Sequence, residues 1–269
     1  MSTQPLTIAH SPCPNDTFIF HAWSHGLLPQ APELQVTFAD IHLTSKWVSE
    51  RSFDLLKISS AALPLAIEAG YQLVPAGGAV GHDCGPLLLS ATDKTSAADL
   101  AGASLAIPSR HSTAYRLTRK WAEQNLSSGF GEVTEVLFSD IMPAVVNGDF
   151  DAGLVIHEAR FTFERFGLHQ IVDLGQWWEE QTGLPIPLGA IVARDDVVAE
   201  HGIDALAQWC ADSVNYAWEN PDASRDYVAE HADDMDADVQ RAHIALYVNR
   251  FSAGLGPEGL AAFDALLAN

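Results

Sequence analysis

The chain has 269 residues, 48% of them hydrophobic, which is enough for two packed lobes and too apolar for a disordered segment. Acidic residues number 35 against 14 basic, a net charge of −21, and such a surface repels nucleic-acid phosphates and anionic lipid. No apolar run approaches the ~20 residues of a membrane span, and the start, Met1-Ser-Thr-Gln-Pro-Leu-Thr-Ile-Ala-His10, has neither the basic nor the apolar region of a secretory signal, so a cytoplasmic protein is expected.

Leu6 to Ala9 reads as a short strand that ends on His10-Ser11-Pro12-Cys13-Pro14-Asn15-Asp16, a turn stiffened by two prolines and Asn-Asp. Asn15 or Asp16 is expected to cap a helix from Thr17 to His25, stopped by Gly26. The open N–H groups of such a helix start favour an anion, although an ordinary capped turn has the same sequence signature. Leu34 to Phe38 is a second strand, Lys46 to Arg51 a short helix, and Phe53 to Ser59 a third strand. Lys57 lies inside that apolar strand, where an ammonium is costly unless it is paired, faces a cavity or snorkels to water. Ser59 and Ser60 open an alanine-rich helix to about Ala69. Gln72 to Pro75 reads as a strand and Gly77 to Pro86 as a glycine-rich loop without the order of a phosphate loop. Leu87 to Ala91 is expected to lead out of the first lobe, with Asp93 to Leu100 as a connection and short helix.

A second set begins with the strand Ser104 to Ile107 and the exit Pro108-Ser109-Arg110-His111-Ser112-Thr113-Ala114. Ser112 is a natural N-cap for a helix from Thr113 to about Asn125; hydroxyls, helix start and Arg110 together could also hold a carboxylate. Thr134 to Phe138 reads as a strand and Ile141 to Val146 as a helix that feeds Asp149-Phe-Asp-Ala-Gly-Leu-Val-Ile-His157. Here an apolar strand, Ala152 to Ile156, ends on a histidine. Imidazole changes charge near neutral pH, so a histidine at a strand exit is a candidate proton acceptor, as well as an ordinary structural side chain. The segment Ser52-Phe-Asp-Leu-Leu-Lys-Ile-Ser is built the same way, with Phe-Asp at the strand entrance and polar groups at its exit. Trp177 and Trp178 could wall an aromatic substrate or simply pack. Leu184 to Gly189 is extended, Ala190 to Ala193 a strand, and from Asp204 onward Ile203–Asn220, Ser224–His231, Ala237–Phe251 and Glu258–Leu267 carry helical spacing. In the third of these, Val239, His243, Leu246, Tyr247 and Arg250 share a face read mainly as packing, with Tyr247 and Asn249 as remoter site candidates. The three cysteines, Cys13, Cys84 and Cys210, have no metal-ligand or redox spacing and are expected to be reduced thiols; Cys13 has no activating base beside it in sequence.

Polar groups thus recur at strand exits, at His10-Ser11, Lys57-Ser59, Arg110-Thr113 and His157-Glu158. The inference is an α/β protein of two lobes joined by two crossovers with a ligand cleft between them, the architecture of type II periplasmic binding proteins. The expected division is a larger discontinuous lobe of residues 1–91 and 190–269 and a smaller inserted lobe of residues 92–189. Fold alone does not choose between an enzyme and a sensor.

Four long stretches carry a resemblance. Ser11-Pro-Cys-Pro-Asn-Asp-Thr-Phe-Ile-Phe20, Gly153-Leu-Val-Ile-His-Glu-Ala-Arg-Phe-Thr-Phe163, Asp173-Leu-Gly-Gln-Trp-Trp-Glu-Glu-Gln-Thr-Gly-Leu-Pro-Ile-Pro-Leu-Gly189 and His243-Ile-Ala-Leu-Tyr-Val-Asn-Arg-Phe-Ser252 resemble the 1,4-dihydroxy-6-naphthoate synthase family of the futalosine route to menaquinone. The resemblance spans nearly the whole chain. It implies a lyase that converts cyclic dehypoxanthinylfutalosinate to 1,4-dihydroxy-6-naphthoate and releases the three-carbon remnant of the sugar, with no metal or organic cofactor. It implies that His157 is the proton acceptor, that Lys57, Ile58 and Ser59 form one substrate-binding motif, and that Ser112, Thr113 and Ala114 form a second. Ser112 stands where the family usually has Thr, which keeps the hydroxyl, and His82 stands where its glycine loop commonly has Arg. The implied partner is an anionic small molecule, which needs a local positive site on so acidic a protein; neither nucleic acid nor membrane is expected, and a homodimer is plausible. Two rivals remain: the sister enzyme of the same pathway, which dehydrates chorismate, and a non-catalytic cytosolic small-molecule binding protein.

Overall fold

In a computed structural model, which describes residues 4–93, 96–232 and 236–268, the chain divides into two compact units. The first comprises the chain up to Gly81 and again from Pro187; the second is His82–Ile186. The first three residues of the predicted signal-free start, and residues 94–95 of the predicted connection, lie outside the described residues.

The first unit is built on a five-stranded sheet. In chain order it contains β1 (Leu6–His10), α1 (Pro14–Ser24), β2 (Leu34–Phe38), α2 (Ile41–Trp47), β3 (Leu55–Ser59), α3 (Leu63–Glu68) and β4 (Tyr71–Gly81). The second unit follows with β5 (Leu87–Ser90), β6 (Leu105–Ile107), α4 (Thr113–Asn125), β7 (Val133–Glu135), α5 (Phe138–Val146), β8 (Ala152–Val155), α6 (Ala159–Thr162), β9 (His169–Asp173) and α7 (Leu174–Thr182). The chain returns through β10 (Ile186–Arg194) and closes with α8 (Asp195–His201), α9 (Ile203–Glu219), α10 (Arg225–His231), α11 (Ala237–Tyr247), α12 (Arg250–Ala253) and α13 (Gly256–Leu267). The strand order is β2-β1-β3-β10-β4 in the first sheet and β7-β6-β8-β5-β9 in the second. In each sheet three neighbouring strands run parallel, β2, β1 and β3 in one and β7, β6 and β8 in the other, and an antiparallel strand follows.

Each sheet is covered on both faces, which explains why its strands read as nearly continuous apolar runs. Along β1, β3 and β10 successive residues alternate between two cores: Ile8, Leu55 and Ile191 enter one with Phe20, Trp23 and Leu206, and Ala9, Leu56 and Val192 enter the other with Leu63, Tyr71 and Phe263. The second unit repeats the device, with Leu88, Leu105 and Leu154 facing Trp121 and Leu87, Ala106 and Val155 facing Ile141.

Several boundaries differ from the sequence-based expectation. β5 was expected to close the first lobe at residue 91, but it pairs antiparallel with both β8 and β9, so the chain leaves the first unit at Gly81 and re-enters at Pro187. Leu87, Leu88 and Leu89 are all at most 1% exposed; a strand so apolar on both sides belongs at the interior of a sheet, and its partners come from residues 152–173. The glycines at Gly77 and Gly78 are not loop residues but the second half of β4. Gly77 has φ +75°, and an added Cβ would lie 2.9 Å from Ile191; at Gly78 it would lie 2.8 Å from the Gly189 carbonyl oxygen. α1 starts at Pro14, three residues before expectation, because proline's missing N–H is harmless at the first helical position. The strand predicted to Phe138 stops at Glu135 and Phe138 opens α5. α8 was not foreseen; Asp195 and Asp196 occupy its first turn, where carboxylates favour a helix start, and Gly202 (φ +84°) ends it.

Candidate active site

β1 and β3 are parallel neighbours, so their carboxyl ends open at one edge of the first sheet. The residues after β1 and those ending β3 meet there in a buried polar network. Asp16 is not the helix cap expected of it. Cys13 occupies the N-cap position without a side-chain hydrogen bond, and the Asp16 carboxylate turns inward from the first turn of α1. It accepts from Ser11 Oγ at 2.7 Å, Asn15 Nδ2 at 2.8 Å and Lys57 Nζ at 2.7 Å. Lys57 does not snorkel: it is 1% exposed, and its ammonium also donates to the Gly77 carbonyl at 3.1 Å. Burial pushes the Asp16 carboxyl up, but the charges of Lys57 and His10 and the hydrogen bonds from Lys57 and Ser11 outweigh it and hold the group below the ordinary carboxylate range.

The three residues of the first proposed motif have different surroundings. Ile58 is core, Lys57 is committed to Asp16, and Ser59, at the strand end, donates its backbone N–H to Ser45 Oγ at 3.1 Å. His10 is fully buried, stacked on Phe20 at 5.0 Å and edge-on to Phe38 at 5.4 Å. Its Nδ1 donates to the Ser11 carbonyl at 2.8 Å, and burial pushes its pKa down against the opposing charge of Asp16. Asn15 Oδ1 accepts from His243 Nε2 at 3.0 Å, tying α1 to α11. Tyr247 is buried, and Asn249 caps α12 and donates to the Val80 carbonyl at 2.9 Å, so both serve the packing of this unit.

In the second sheet β6 and β8 are parallel neighbours, and their exits likewise share one edge. Ser112 caps α4 as expected: its hydroxyl accepts from the Tyr115 N–H at 3.1 Å and donates to the Ser109 carbonyl at 2.8 Å. Thr113 and Ala114 are buried in the first turn behind it. Arg110 faces β7, where its guanidinium donates to the Val133 carbonyl and its backbone N–H donates to Glu135 Oε1 at 2.6 Å. His157 stands two residues beyond the end of β8. It is half-buried, meets Phe138 edge-on at 5.8 Å, and has φ +54°. The left-handed region costs a residue with a Cβ roughly 1–2 kcal/mol, and such strain collects at functional positions when the surroundings enforce it.

The loop after β4 is held by Glu179 of α7. One carboxylate oxygen accepts from the Asp83 N–H at 2.8 Å and the other meets His82 Nδ1 at 2.8 Å. His82 therefore keeps a polar contact at the position where the resemblance implies Arg. Trp178 is buried with its indole N–H on the Pro185 carbonyl at 3.0 Å, and the partly buried Trp177 packs against the core of Leu88, Leu154 and Leu174, so both rings serve packing within this unit. Cys84 and Cys210 are buried thiols pushed up to about 12, which makes them unreactive; Cys13 is half-buried. Sequence reasoning missed Asp16 as the partner of Lys57, and it missed Arg160, whose guanidinium donates to the Gly85 carbonyl at 2.8 Å and to Asp173 Oδ2 at 2.5 Å. A lysine inside an apolar strand is itself the signal for a buried acid. Nothing in the local pattern named the partners of Arg160.

The fold defines the class. A periplasmic aliphatic sulphonate-binding protein of Escherichia coli superposes with a TM-score of 0.70 over 98% of this chain and 87% of its own at 15% identity, which places the chain among periplasmic-binding-protein-like α/β folds. An Archaeoglobus fulgidus crystal structure is nearer, with a TM-score of 0.87, 29% identity and coverage of 97% of this chain and 95% of that one. A family model described as menaquinone biosynthesis matches residues 6–269. Two curated relatives, both 1,4-dihydroxy-6-naphthoate synthases, are similar over nearly the full length. The Streptomyces coelicolor protein is 51% identical over 99% of this chain and 93% of its own, and the Thermus thermophilus protein is 42% identical over 98% and 93%. The chain belongs to this menaquinone-biosynthesis family of enzymes.

Removing the charge of Asp16 leaves an ammonium buried alone. Asp16→Asn is expected to lower the free energy of unfolding by about 3–5 kcal/mol in urea titrations, and the added change Lys57→Met to restore part of the loss. Acid should act earlier and elsewhere in the first unit. Burial, followed by the charge of His25, pushes His21 from its ordinary 6.5 down to about 4. The folded state therefore resists a proton that the unfolded chain accepts. This contribution to stability is complete above pH 6.5 and is lost as pH falls towards 4. The urea midpoint should fall across that window, and less so in His21→Phe.

Proposed function

We propose that the protein is a carbon–carbon lyase that converts cyclic dehypoxanthinylfutalosinate to 1,4-dihydroxy-6-naphthoate in menaquinone biosynthesis, with His157 as the base. The observation that carries this reading is a half-buried imidazole at the β8 exit, held in a left-handed backbone conformation, in a chain whose near-full-length relatives bear that enzyme's name.

The imidazole takes the proton of a hydroxyl placed β to the ring carbonyl of the substrate. The oxygen's electron pair becomes the carbonyl of the departing three-carbon fragment, and the pair of the broken carbon–carbon bond stays on the ring side as an enolate, as in a retro-aldol cleavage. The remaining ring aromatises. Product and fragment together hold the atoms and electrons of the substrate, so the reaction as written needs no electron acceptor, and aromatisation supplies much of its driving force. The enolate that forms along the way needs donors aimed at it. Thr113 and the N–H groups at the start of α4 are the donors we assign, since the β6 and β8 exits share one sheet edge. Ser59 is the residue of the first motif that we assign to substrate contact; Lys57 acts through Asp16. A cytoplasmic location goes with this reading.

His157→Ala should lower kcat by about 10³-fold or more, since a positioned acid–base group contributes 10²–10⁴-fold. The circular dichroism spectrum and urea midpoint should be preserved. Retained turnover in a folded variant removes His157 as the base, and dehydration of chorismate by the wild-type protein in the same assay favours the sister reaction.

A further inference from the structure

The reading of His157 as the base leaves open what holds it in place, and the second unit contains an answer. His157 leaves β8 in a left-handed conformation and enters α6, which is only four residues long. A helix of one turn is not stable by itself. Two of its residues tie it to the rest of the unit. Ala159 is buried in the core beside Ile141, and Arg160 reaches back to a junction of two other segments.

That junction is rigid. One Asp173 oxygen accepts from the N–H groups of Gly175 at 2.9 Å and Gln176 at 3.2 Å, capping α7, and the other accepts from Arg160. Gly85, whose carbonyl takes the second arm of the guanidinium, packs so closely on Gly175 that an added Cβ would lie 2.2 Å from its backbone. The guanidinium is largely shielded, with its side chain 17% exposed and that of Asp173 6%. Its two arms therefore reach groups that cannot shift independently. Through the Arg160 N–H, which donates to the His157 carbonyl at 3.3 Å, the fork is tied to the histidine backbone.

We propose that Arg160 is a positioning residue for the base: its fork on Gly85 and Asp173 fixes the turn that presents the His157 ring, without itself touching substrate. The proposal rests on His157 being the base. A planar fork does this and a point charge does not, so Arg160→Lys is the informative change. Small displacements of a reacting group cost about 100-fold in rate.

The test uses the full-length protein, with steady-state turnover of cyclic dehypoxanthinylfutalosinate and histidine-labelled NMR spectra of the ligand-free protein. The His157 signal is identified by its disappearance in His157→Ala. Arg160→Lys is expected to lose about 100-fold in kcat with KM within about threefold, and to move or broaden the His157 signal while other histidine signals stay. Asp173→Asn, which keeps an oxygen to cap α7 but loses the charge, is expected to show the same pattern at about tenfold, and it decides the matter if the lysine variant does not fold. Wild-type kcat, a loss carried by KM, or a loss of kcat with an unmoved His157 signal overturns the proposal. Turnover by His157→Ala removes the base, and the proposal with it, whatever the Arg160 variants do.

Discussion

An ammonium group inside a protein needs a counter-charge, and the first unit is arranged around that requirement. Lys57 on β3 and Asp16 on α1 meet at 2.7 Å in a setting that excludes water. To make the pair, the turn after β1 must deliver Asp16 inward rather than leave it as a solvent-facing cap. Pro14 allows this by starting the helix early, and Ser11 and Asn15 complete the carboxylate's hydrogen bonds. The Gly77 carbonyl closes the ammonium's side, which brings β4 into the same constraint. One ion pair thus ties together the turn after β1, the end of β3 and the middle of β4, and so sets where Ser59 stands. A hydrophobic pair of the same volume can be as stable; the charges join these three segments through directional contacts.

The second unit solves a different problem. Its candidate base sits in backbone geometry that a residue with a side chain adopts only under compulsion. The compulsion comes from the short helix that follows, from the buried Ala159 and from the guanidinium clamp. The parallel pairing of β6 with β8 puts the Ser112-Thr113-Ala114 helix start and His157 at one sheet edge, the usual place for ligands in open α/β sheets. Each unit therefore places its polar groups by the same rule, parallel strands ending at a common edge, and fixes them by different means.

Much of this was legible in the sequence. The apolar runs of β1, β3, β6 and β8 and the polar residues at their exits follow from strand patterning, and Ser112 was readable as a cap because its chemistry is local. The two-unit division was foreseen, but not its limits: β5 looks like the end of one lobe along the chain, and only its pairing with β8 and β9 reveals its sheet. The glycines of β4 read as a loop because glycine marks both turns and close strand contacts. Lys57 announced itself as anomalous, yet its partner lies 41 residues away, and Arg160 joins segments up to 75 residues distant. Such long-range pairs leave no periodicity to read. The chemistry itself is implied by the motif resemblance, since a histidine at a strand exit is compatible with many reactions.

The measurement that bears most directly on the account is the mass of what the wild-type protein makes from cyclic dehypoxanthinylfutalosinate, with product and three-carbon fragment followed together. The account predicts 1,4-dihydroxy-6-naphthoate and the fragment in equal amounts over many turnovers. Substrate bound one to one and recovered unchanged would contradict it, and would mean that this scaffold holds its ligand without cleaving it.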